Sequence, residues 1–63
     1  MRPTPQTGWY LRILREQGHW MWRLVDQADR MVAEGPSRSS RKLAEEEAIE
    51  LFPDVPVQEP LFA

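Results

Sequence analysis

A stripe of mostly apolar residues runs through the first half of the chain at helical spacing. Tyr10, Leu14, Gln17, Met21, Leu24, Ala28 and Met31 follow one another at steps of 4, 3, 4, 3, 4 and 3, and Ile13, Trp20, Val25 and Val32 widen the stripe into a broad face. This spacing predicts an amphipathic helix within residues 7–34, opened by Thr7 and stopped by Gly35-Pro36. Gly18 interrupts it, because glycine in a helix interior costs about 1 kcal/mol relative to alanine. Residues 9–25 therefore read as one helix, as two helices with Gly18 capping the first, or as a β-hairpin. In the hairpin, Trp9, Leu11 and Ile13 face Trp20, Trp22 and Leu24 across an Arg15-Glu16-Gln17-Gly18 turn. The continuation of the stripe through Met31 favours helix.

A second periodic stretch spans residues 38–52. Ser37-Arg38-Ser39-Ser40 offers a serine N-cap, Leu43, Ala44, Ala48, Leu51 and Phe52 share a face, and Glu45, Glu46 and Glu47 lie early, where the helix dipole favours negative charge. Pro53 ends it, and Pro56 and Pro60 keep the following residues out of helix. The expected fold class is all-α: a helical hairpin of two or three helices over residues 1–52, followed by an extended proline-rich tail over residues 53–63.

Composition narrows the function classes. A chain of 63 residues without cysteine forms one small domain, with neither a disulfide framework nor a thiolate metal site. Domains of this size bury only about 60% of the surface their unfolded chains expose, so an enzyme with its own substrate pocket is not expected, nor a cofactor. No apolar run approaches the roughly 18 residues of a membrane span, which points to a cytoplasmic protein. The net charge of −2 conceals a polarity: residues 1–42 carry all eight bases against four acids, and residues 43–63 carry six acids and no base. Two halves of opposite charge suit antiparallel helices that attract each other, or two ends with different partners.

Several side chains stand out as candidates. Trp20 and Trp22 are two apart, so on a helix they point about 200° from each other and cannot share one core. Trp9, Trp20 and Trp22 are thus a candidate protein interface, homodimerisation included, set against a simple core role. His19 is the sole histidine; with Glu16 three residues away it has neither nucleophile nor second ligand, so neither a catalytic nor a metal site is expected. Met31 to Leu43 is similar to the turn and recognition-helix start of a helix-turn-helix, which makes Arg38, Arg41 and Lys42 candidate phosphate contacts. Arg41 falls where that motif buries an aliphatic residue, and Glu45 to Glu47 would repel phosphate, so a plain interhelical turn competes with it.

The clearest short motif lies in the tail. Gln58-Glu59-Pro60-Leu61-Phe62 places a glutamine, two spacers and a Leu-Phe pair in a proline-restricted segment. It resembles the sliding-clamp-binding motif of bacterial replication and repair proteins. The resemblance covers five residues and implies that Gln58 meets the clamp surface while Leu61 and Phe62 enter its apolar pocket. A peptide already restricted by proline loses little further entropy on docking. The resulting expectation is a small non-enzymatic bacterial or phage adaptor that binds the replication sliding clamp. The alternatives are a small DNA-binding or regulatory protein using Arg38, Arg41 and Lys42, and a structural subunit packing its Trp/Met face on a larger protein.

Overall fold

The computed structural model describes residues 3–58. In order along the chain they form strands β1 (Tyr10–Glu16), β2 (His19–Val25) and β3 (Met31–Glu34), helix α1 (Arg41–Leu51) and the short strand β4 (Val57–Gln58). The strands make one mixed sheet of order β3-β2-β1-β4, antiparallel except where β4 runs parallel to β1. The expected all-α helical hairpin is therefore overturned: residues 10–34 are three strands, and the described residues hold a single helix.

Gly18 decides the first half of the chain. Gln17 and Gly18 both have positive φ, 53° and 80°, and they alone connect β1 to β2. Two consecutive left-handed residues are what a two-residue hairpin turn requires, because its twist then matches that of the strands. The glycine that weakens a helix thus makes a hairpin. Its register pairs Leu11 with Leu24, Ile13 with Trp22 and Arg15 with Trp20. The hairpin alternative above has the right faces, but Arg15 and Glu16 belong to β1 and not to the turn, which shifts the register by two residues. Seven-residue strands rich in aromatic and branched side chains supply the matching propensity.

Residues 26–30 do not continue a helix. The Asp26 carboxylate accepts from the Ala28 and Arg30 backbone N–H groups, each at 2.9 Å, and closes the connection to β3. Beyond β3 the chain stays on the edge of β2: Gly35 N–H donates to the Trp22 carbonyl, and Arg38 and Trp20 exchange backbone hydrogen bonds.

The second helix forms as α1, shorter than expected. Ser40 is its N-cap, with extended φ and ψ of −142° and 156° and its hydroxyl accepting from Leu43 N–H at 3.2 Å. Ala44 and Ala48, four apart, are fully buried against the sheet, and these small side chains let the helix approach closely. Leu43, expected on the same face, is instead exposed, and no acid occupies the first turn. The core comprises Leu11, Ile13, Trp22, Leu24, Ala44, Ala48, Phe52 and Val55, with Val57 of β4 packed at its margin. Residues Val55 and Val57, from the segment read as tail, thus pack with the folded body.

Candidate functional site

Strand geometry reverses the argument about the tryptophans. Residues two apart point the same way on a strand, so Trp20 and Trp22 share the helix-covered face, with Trp9 on the same side of β1. Trp22 is in the core, its ring edge-on to Phe52 with centroids 5.6 Å apart, and Trp9 and Trp20 pack partly buried against that core. The arginine Arg15 lies over the Trp20 ring at 5.9 Å. All three rings therefore lie on the core side of the sheet, and Trp22 reaches the helix layer through Phe52 and Glu47.

Burying an indole requires an acceptor for its N–H. Trp22 Nε1 donates to Glu47 Oε1 at 2.9 Å, and the other carboxylate oxygen of Glu47 accepts from the Arg38 guanidinium. Arg38 holds the Glu47 carboxyl below its usual range; partial burial opposes this, and the Trp22 hydrogen bond adds to the lowering. Glu47 itself raises Arg38 further. The trio ties β2, the β3–α1 connection and α1 together at one point.

That arrangement bears on the proposed phosphate contacts. Arg41 and Lys42 open α1 and Arg38 lies three residues before it, but Arg38 is committed to Glu47, and the element before the turn is β3 rather than a helix. The turn is thus a strand-to-helix connection, not a helix-turn-helix. Glu16 and His19 face each other across the hairpin turn, both exposed. Among the described residues no group of three or more His, Asp or Glu side chains is placed to hold a metal ion. No helix among them is long and apolar enough to cross a membrane.

Gln58 is the described residue of the clamp-like motif. It pairs with Arg12 in β4, the outermost strand on its side of the sheet, and its side chain is exposed. Leu61 and Phe62 lie outside the described residues. A groove of about 560 Å³ lies between Pro3-Thr4-Pro5 and the end of α1, floored by Leu51, Phe52 and Val55.

Among the described residues no helix lies on the opposite face of the sheet. Tyr10 Oη donates to Asp29 at 2.9 Å and accepts from Arg12 at 3.3 Å, which draws the 26–30 connection over the end of β1. The Asp29 hydrogen bond, with some desolvation, raises the Tyr10 phenol above its usual range. Arg23 bridges Glu16 and Glu34 at 3.3 and 3.2 Å. Sequence reading missed these groups. The one available signal was the alternation itself, which puts Tyr10, Arg12, Leu14 and Glu16 on one face as soon as residues 10–16 are read as a strand.

No protein-family model, curated protein or solved structure matches the chain.

Proposed function

We propose that the protein is a small non-enzymatic adaptor, of bacterial or phage type, that docks on the replication sliding clamp through Gln58, Leu61 and Phe62. The observation that carries the reading is the placement of Gln58, the first residue of the clamp-like motif, exposed on the edge strand of a folded body. A backbone held in register at Val57 and Gln58 gives the motif a fixed origin, so less freedom is lost when the peptide binds. Gln58 then hydrogen-bonds the clamp surface, and Leu61 and Phe62 fill its apolar pocket. The body's own role follows from its position beside that pocket: it recruits, or it obstructs other proteins that use the same site.

Titrating purified bacterial clamp with the protein tests this reading. Replacing both Leu61 and Phe62 with alanine removes two buried anchors, and truncations of such anchors commonly cost about 2 kcal/mol or more each. Together these losses should weaken binding by roughly several hundredfold. Equal affinity of the wild type and the double variant for clamp would reject it, as would no binding by the wild type.

A further inference from the structure

The face of the sheet turned away from α1 is built in rows. On β1 and β2 the paired residues are Tyr10 and Val25, Arg12 and Arg23, Leu14 and Met21, and Glu16 and His19. Leu14 and Met21 are half-buried, yet neither packs against the core, so they form an apolar row of their own in the middle of this face. The Tyr10 row is already covered from one side, because Tyr10 is tied to Asp29. Among the described residues no helix or strand covers the three remaining rows.

Their charges are unbalanced in opposite senses. Arg12 makes no ion pair among the described residues; its guanidinium rests 5.7 Å from the Tyr10 ring and donates to the phenol. Arg12 also stands directly opposite Arg23, and like charges in paired strand positions are unfavourable. At the other end, Arg23 alone serves two carboxylates, Glu16 and Glu34, and the Glu16 side chain remains 59% exposed. One end of the face has a surplus cation, and the other has a surplus carboxylate. The apolar row lies between them.

We propose that this face is a two-fold interface between two copies of the chain, with the Leu14–Met21 rows in contact and Arg12 of each copy paired with Glu16 of the other. A two-fold axis lying along the Leu14–Met21 row, across the strands, sets the Arg12 row over the partner's Glu16 row and repeats the contact on the other side. An axis along the strands would set arginine over arginine, so the charge pattern selects the first arrangement. Such self-complementarity is the signature of an isologous contact. The open area is small, so the dimer belongs with interfaces that bury less than about 1,200 Å² and form weakly. Exposed ion pairs at its rim make it sensitive to salt. This inference stands apart from the clamp reading and does not require it.

Charge reversal tests it. Sedimentation equilibrium on the full chain, over about 10 µM to 1 mM as a weak contact demands, should show wild-type mass rising from one chain towards two. Arg12→Glu alone and Glu16→Arg alone should each remain monomeric, since each sets like charges against each other twice. An equimolar mixture of the two variants should dimerise again, because the carboxylate introduced by Arg12→Glu in one then meets the guanidinium introduced by Glu16→Arg in the other, while the native pair is kept at the second contact. Recovery in the mixture also shows that both variants are folded. A monomeric wild type at 1 mM overturns the proposal. So does a wild-type dimer that either single variant retains, which would place the contact elsewhere, or a mixture that stays monomeric while both variants keep the wild-type near-ultraviolet tryptophan signal.

Discussion

The two faces of the sheet come from the same two strands and the same alternation, yet they differ in kind. On one, Leu11, Ile13, Trp22 and Leu24 are closed off by Ala44, Ala48 and Phe52. On the other, Leu14 and Met21 lie among Arg12, Arg23 and Glu16, with no second layer above them among the described residues. The difference is not hydrophobicity alone, since both faces have apolar residues. It is the presence of a partner element: one helix can cover one face. In a chain this short the covered face supplies stability, and the open one is available for association.

The comparison is broken most severely at Trp22. Trp22→Ala removes the ring against Phe52 and leaves Glu47 and Arg38 without their third member. Large-to-small changes of this kind cost about 3–5 kcal/mol, enough to unfold a domain of marginal stability. Met21→Ala, next to it in sequence but on the open face, should lower the unfolding free energy of dilute protein, read from urea denaturation, by under about 1 kcal/mol.

Two glycines sharpen the contrast further. A Cβ on Gly35 would fall within the indole ring of Trp22, whereas a Cβ on Gly18 would meet nothing. Gly35→Ala should cost about 1–3 kcal/mol through overpacking of the covered face. Gly18→Ala should cost about 1–2 kcal/mol through its φ of +80° alone, and Gly18→Asn should recover much of that, because asparagine tolerates this backbone region. Urea denaturation of the three variants checks the order.

A smaller effect lies at Glu47. Its folded-state carboxyl is held low, chiefly by Arg38, so the folded protein binds this proton less readily than the unfolded chain does. The stabilisation is present above the ordinary value of 4.5 and is lost as pH falls from there through the lower folded value. Glu47→Gln removes the titrating group. Thermal midpoints measured from neutral pH downward should therefore fall more steeply for the wild type than for Glu47→Gln below about pH 4.5. Parallel curves would contradict this.

Much of α1 was legible in sequence, because its signals are local: a serine cap, alanines four apart and a proline stop. The hairpin was legible only as an alternative. Tyr10, Leu14 and Met21 belong to the open face and Leu24 to the closed one, yet read together they make a helical stripe. Apolar residues on both faces blur the alternation that marks a strand. β4 was hidden among prolines, and its pairing with β1 spans more than forty residues. The link from Trp22 to Glu47 is equally non-local, although a buried indole demands some acceptor. For the site, the sequence pointed to Gln58, Leu61 and Phe62, and the described structure reaches the first of them.

The central claim, one strand with a closed side and an open side, can be tested directly because the chain has no cysteine. Single cysteines placed at positions 10 to 14 would be labelled with a thiol reagent under native conditions, in dilute protein. The account predicts slow labelling at 11 and 13, where Leu11 and Ile13 are buried, and faster labelling at 10, 12 and 14. Protection at 10, 13 and 14 with free reaction at 11 and 12 is the pattern of a helix, and it would contradict the account.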